Sequence, residues 1–253
     1  MRARQPAGSP PPPVVARIRL RYAKRGRLRF ASHRDLARAF ERALRRAGVP
    51  MAYSAGFTPH PKISYAGAAP TGVASEAEYL EIGLQAPAAD LNELRERIGD
   101  ALPEGVDVLE AVEASAGGLA DRLEASLWRV EFANVTVNDL QPLVDGLLAR
   151  AQLSVDRLTR DGRRTVEVRG AILSATVNVP PKAEHAIMEA VVRQVTPAVR
   201  PDDIVAALRL VAGLAPDAPQ WTYQATRVAQ GPLDKTGAVG DPLATDRSQR
   251  ATS

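Results

Sequence analysis

Residues 27–79 read RLRFASHRDLARAFERALRRAGVPMAYSAGFTPHPKISYAGAAPTGVASEAEY, and the fold is legible outward from this stretch. Ser32 suits the N-cap of a helix, because its hydroxyl can accept from orphan amides of the first turn, and Asp35 adds an acid where the helix dipole favours one. At about 100° per residue, Leu36, Ala39, Phe40, Ala43, Leu44 and Ala47 share one face. Arg34, Arg38, Arg42, Arg45 and Arg46 gather on the other. Gly48 stops the helix and Pro50 prevents its resumption. An amphipathic helix of this kind needs a sheet or another helix under its apolar face.

The flanking segments supply the sheet. Upstream, Val15 to Tyr22 alternates apolar and polar residues, which predicts a half-buried strand with Arg17, Arg19 and Arg21 on its wet face. Arg27 to Phe30 reads as a short strand with Leu28 and Phe30 inward. Downstream there is room for a strand near Pro61–Ala68, then Tyr79 to Leu84 as a strand. Asp90 caps a helix carrying Leu91, Leu94 and Ile98, and Val106 to Ala114 alternates as a last strand. The order is βαββαβ, the pattern of a ferredoxin-like split unit.

Ser115-Ala116-Gly117-Gly118 marks a boundary, after which the pattern recurs. Leu123–Phe132 is a strand and Asp139–Ala151 a helix. Leu153–Leu158 and Thr165–Arg169 form a hairpin about the Asp161-Gly162 turn, and Ile172–Val179 follows as a strand. Ala186–Val195 fits either period and is taken as a strand. Pro201–Val211 opens with Pro and two acids, as a helix does, and Trp221–Val228 closes the repeat. The expectation is an α+β protein of two tandem ferredoxin-like domains, 14–116 and 119–230, with a disordered Pro-rich lead-in over 1–13 and a disordered tail over 231–253.

Composition bounds the function. The chain has 253 residues and no cysteine, which excludes disulfide partners, cysteine-held iron–sulfur clusters and thiolate zinc sites. No stretch approaches the roughly 18 apolar residues of a membrane span, and the start lacks the apolar run of a secretory signal, so a cytoplasmic protein with no membrane partner is expected. The net charge of +4 conceals an asymmetry: residues 1–75 hold 15 basic against 2 acidic residues, and the remainder is net −9. A basic half-molecule suits a polyanion, nucleic acid first. A solvated arginine-rich face is the other reading of the same charge.

Three groups of residues are candidate sites. Arg19, Arg21, Arg34, Arg38, Arg42, Arg45 and Arg46 could follow a phosphate backbone, since guanidinium forks fit phosphate oxygens. Tyr53, Phe57 and Lys62 lie in a Gly/Pro-stiffened loop able to stack a base and hold its phosphate. His33, His60 and Glu78 could share acid–base chemistry if the fold brings them together; helix capping and loop structure are the alternative. No P-loop, dinucleotide fingerprint, HExxH or GxSxG announces an enzyme class, and the sequence yields neither a metal site nor a cofactor.

Phe30, Ser32-His33, Asp35-Leu36, Glu41-Arg42-Ala43, Pro50, Tyr53-Ser54, Gly56-Phe57, Pro59-His60-Pro61, Ser64, Pro70, Gly72, Ser75 and Glu78-Tyr79 together resemble the radical SAM-linked protein family. That family is a domain of unknown function found alone or fused to the C-terminal side of radical SAM enzymes. Thr196-Pro197 and Arg200-Pro201-Asp202 are a second, weaker point of resemblance. The resemblance implies a separately encoded radical SAM partner, since this chain cannot hold the cluster, and its genomic setting near ribosomal and RNA-processing genes favours RNA. The expected function is an auxiliary, non-catalytic module presenting tRNA or rRNA to a radical SAM modifying enzyme. The alternatives are a metal-independent RNA-processing enzyme using His33 and His60, by analogy with other tandem ferredoxin-like folds, and a protein–protein adaptor.

Overall fold

The computed structural model describes residues 12–159, 162–178, 186–215 and 218–250. Residues 1–11 of the expected lead-in, Asp161 of the expected turn, and residues 251–253 lie outside the described residues. The protein is α+β. It divides into two compact units, one made of Met1–Gly72, Glu76–Asp121 and Leu243–Ser253, the other of Val73–Ser75 and Arg122–Pro242.

In the first unit, β1 (Ala16–Lys24), α1 (His33–Arg46), β2 (Ile63–Ala66), β3 (Ala74–Leu84), α2 (Leu91–Ala101) and β4 (Val106–Glu113) follow one another. The strands lie in the order β4-β1-β3-β2. β1 and β4 are antiparallel from Ile18↔Glu113 to Lys24↔Val106. β2 and β3 are antiparallel from Ile63↔Ile82 to Ala66↔Tyr79. Alternation then sorts the side chains. Ile18, Leu20 and Tyr22 of β1 join Leu80, Ile82 and Leu84 of β3 beneath Leu36, Phe40 and Leu44 of α1 and Leu91, Leu94 and Ile98 of α2. Each of these large apolar side chains contributes roughly 1.5–3 kcal/mol by leaving water. Phe40 meets Tyr22 edge-on at 4.8 Å between ring centres. Gly105, at φ +90°, is required where it stands, since a Cβ there would sit 3.0 Å from the Arg25 carbonyl.

One expected strand is absent. Gly26–Phe30 is a 3₁₀ turn, with Leu28 packed on the core and Phe30 59% exposed. Alternation over four residues does not distinguish a strand from a three-residue-per-turn helix that packs its middle position, partly buried, against the core.

In the second unit, β5 (Ala125–Phe132), α3 (Val137–Leu148), β6 (Ser154–Thr159), β7 (Gly162–Glu167), β8 (Ile172–Asn178), β9 (Ile187–Arg193), α4 (Pro201–Val211) and β10 (Tyr223–Gly231) succeed one another. The order is β10-β5-β9-β8, all antiparallel, while β6 and β7 form a separate two-stranded ribbon. β10 also pairs in parallel with Ala74 and Ser75. The ambiguous segment is therefore the strand β9, with Met188, Ala190 and Val192 buried. Thr136 caps α3 in a reciprocal capping box with Asp139.

Over its described residues, 231–250, the expected tail is structured instead. Leu233 bridges Val239, and Ala244–Arg250 forms α5. Leu243 and Asp246 are buried, and Arg247 makes a two-pronged contact with Glu110. A short polar segment shows no local periodicity, so only partners distant in sequence reveal that it is held.

Candidate functional site

α1 presents its arginines as its sequence pattern predicts. Ser32 accepts from the Asp35 backbone N–H and donates to the Asp35 carboxylate at 2.7 Å. The Ser32 hydroxyl, and next the Ser32 backbone and nearby Arg38 and Arg34, hold the Asp35 carboxyl below the ordinary range. Arg34, Arg38, Arg42, Arg45 and Arg46 are all exposed. Among the described residues none of the five forms an ion pair.

The strand arginines behave differently. Arg19 is 1% exposed, and Arg21 is half-buried with its Nε donating to the Glu76 carbonyl at 3.0 Å. The expected wet face of β1 thus holds for Arg17 and fails at Arg19. The face of the sheet away from the helices is covered at Arg19 by residues 115–117 and by α5. Arg19 Nε reaches Glu81 at 3.0 Å and Arg19 Nη1 reaches Asp246 at 2.8 Å, while Arg17 Nη1 takes the other Glu81 oxygen at 2.8 Å.

Two clefts open on this same face. The larger, about 560 Å³, lies between Arg17, Arg19, Ser64, Glu81 and the 114–120 segment. The other, about 350 Å³, lies between Arg17, Ser64, Glu81, Ser54, His60 and Lys62. They share Arg17, Ser64 and Glu81, so one polar floor runs from the Pro59-His60-Pro61 loop to Gly117. Ser64 and Glu81 face each other because β2 and β3 pair in that register. The loop itself closes on Ser54, which accepts from the His60 N–H at 3.0 Å and whose own N–H donates to the His60 carbonyl at 2.9 Å.

The loop's aromatic residues diverge. Phe57 is 81% exposed, whereas Tyr53 is partly buried against the core and bridges Pro61. Lys62 is exposed beside His60 in the smaller cleft. Phe30, expected inward on a strand, is exposed instead, and its ring lies 4.6 Å below the Arg29 guanidinium. An aromatic next to arginines and just ahead of an N-cap was the available signal.

His33, His60 and Glu78 each have contacts of their own. His33 is exposed with its ring edge-on to Tyr65 at 4.8 Å, and His60 lines the cleft. Glu78 is 1% exposed and accepts from the Ala69 N–H at 3.1 Å. No hydrogen bond or ion pair joins any two of the three. Tyr65, between His33 and Phe40, has a hydroxyl with no hydrogen-bond partner among the described residues. Burial, aided by Glu41, pushes that hydroxyl's ionisation well upward. Among the described residues no three His, Asp or Glu side chains gather as a metal's ligand set, and no helix is long and apolar enough to cross a membrane.

A family described as an uncharacterized protein conserved in bacteria, DUF2344, matches residues 17–201. The chain belongs to this family. The DUF2344 span starts inside β1 and ends on the first residue of α4; it takes in the arginine helix, the Tyr53–Lys62 loop and both clefts, and leaves α5 outside. No curated protein matches the chain.

Proposed function

We propose that this DUF2344 protein is an auxiliary RNA-binding module that presents tRNA or rRNA to a separately encoded radical SAM modifying enzyme in the cytoplasm. The observation that carries the reading is the α1 face: five exposed arginines without an ion-pair partner among the described residues. A row of arginines spaced along a helix and making no ion pair among the described residues suits successive phosphates. Exposed Phe57 and Phe30 add sequence-tolerant stacking surfaces. The radical SAM partner rests on the resemblance carried by the Ser32-His33 and Pro59-His60-Pro61 motifs.

We read each unit as one ferredoxin-like domain. Each unit runs βαββαβ with strand order 4-1-3-2, counting the four strands of its sheet, and the β6–β7 ribbon is an insertion in the second. That order supports two ferredoxin-like domains. The histidine-based cleavage reading has less behind it, since no hydrogen bond joins His33 to His60.

Replacing Arg38 and Arg42 together by Ala tests the grip. Binding of a single-stranded RNA should weaken, and the slope of log affinity against log salt should flatten by about 0.7 per lost phosphate contact. Unchanged affinity and slope would remove α1 from the interface. Co-purification from native cells, with bound RNA and protein identified in the same eluate, tests the partner; RNA recovered without a radical SAM protein would overturn that half.

A further inference from the structure

The buried carboxylate of Asp246 occupies a site built for an oxyanion. Its Oδ1 takes three donors from three directions: Arg19 Nη1 at 2.8 Å, the Ser115 backbone N–H at 2.9 Å and the Ser115 hydroxyl at 2.5 Å. A guanidinium, a backbone amide and a hydroxyl converging on one oxygen form the donor set by which proteins hold phosphate. The Asp246 side chain is fully buried and that of Arg19 is 2% exposed, and Arg19 and Ser115 line the 560 Å³ cleft.

Charge accounting gives the ligand its class. Arg17 and Arg19 face Glu81 and Asp246, so the four charges cancel. With Asp246 withdrawn, the set is left at +1 around buried Arg19, and a single negative charge restores balance. A phosphodiester oxygen carries that charge and accepts from all three donors. The holder of the site is also separable from it. Arg19 and Ser115 lie within the DUF2344 span, whereas Asp246 comes from a seven-residue terminal helix outside it.

We propose that Arg19 and Ser115 form a phosphodiester-binding site on the first unit, which the chain's own C-terminal segment fills with Asp246 until nucleic acid displaces it. This rests on the RNA reading for its ligand, though not for the existence of the site. The cleft running from Gly117 towards His60 and Lys62 would then carry the neighbouring nucleotides, with Arg17 at its middle.

The test uses the full-length chain, with Asp246→Asn to remove the charge while keeping the side chain's shape, and Arg19→Gln/Asp246→Asn as its control. Inorganic phosphate should raise the Tm of Asp246→Asn and leave the double variant unmoved; no rise in Asp246→Asn overturns the site, whatever RNA does. Single-stranded RNA should bind Asp246→Asn at least about threefold more tightly than the native chain, with a salt slope steeper by about 0.7. A phosphate response without that RNA gain overturns nucleic acid as the occupant. A gain persisting in the double variant overturns Arg19. If the Arg38/Arg42 variant binds RNA normally while Asp246→Asn gains affinity through Arg19, the α1 grip fails and this site stands.

Discussion

At the scale of single residues, the arginines divide by their neighbours, and the same accounting yields stability predictions. Tyr65 buries a hydroxyl without a partner among the described residues, which carries a desolvation cost of about 1–3 kcal/mol. Tyr65→Phe keeps the ring contacts with His33 and Phe40 and deletes that cost, so it should raise stability by about 1 kcal/mol in urea titration; a loss would mean that the hydroxyl is satisfied. Ser32 works in the opposite direction. It caps α1 directly, and Ser32→Ala should cost about 1 kcal/mol. Its bond to Asp35 also makes stability depend on pH. The folded Asp35 carboxyl ionises below the ordinary value of 3.8, so its contribution is fully present above that value and fades as the pH falls through the depressed one. The stability gap between the native chain and Asp35→Asn should therefore be constant near neutrality and close in acid. A gap that widens in acid would reverse the assigned direction.

At the scale of elements, what could be read from sequence was what local period encodes. The apolar face of α1 was legible residue by residue because 3.6-residue spacing, a cap and a glycine stop all agree over fourteen positions. The turn at Gly26–Phe30 was not, since the four alternating residues Arg27–Phe30 carry too little period. The buried state of Arg19 was hidden for another reason: its partner Asp246 lies 227 residues away, and alternation says only which face a side chain takes, not what covers that face. The β6–β7 ribbon shows the same limit. Its strands were readable, but its anchor is a contact with α4, where Arg157 Nε reaches Asp203 at 2.9 Å and a second guanidinium nitrogen takes the other oxygen. Asp203 also accepts from the Arg200 N–H at 2.7 Å as part of the helix cap, and it is 3% exposed. Arg157→Ala leaves that carboxylate buried without its cation and should cost about 3–5 kcal/mol. Arg157→Ala with Asp203→Asn should recover part of the loss; if the single variant unfolds at the native urea concentration, the ribbon is not anchored through this pair.

At the scale of the whole molecule, chain order and compact unit are different things. The boundary at Ser115–Gly118 suggests that the first repeat could be cut out as residues 14–116. The first unit, however, also includes Leu243–Ser253, and the second includes Val73–Ser75. A fragment ending at Asp121 loses Asp246 and the α5 cover, and leaves Arg19 with Glu81 as its remaining carboxylate, already shared with Arg17. It gives up both the packing of Leu243 and the ion pair that offsets the lost hydration of Arg19. The fragment 1–121 should therefore unfold at lower urea than the intact chain. A synthetic peptide of residues 243–253 added in trans should restore stability in a concentration-dependent way, as any ligand of the native state must. The same peptide with Asp246→Asn should restore much less, which separates the charge from the packing of Leu243. Equal rescue by both peptides would assign the segment's hold to its apolar contact and leave Arg19 content with Glu81 alone. Rescue by the native peptide only would mean that segment 243–253, mostly polar and without period, completes the electrostatics of a strand laid down more than two hundred residues earlier.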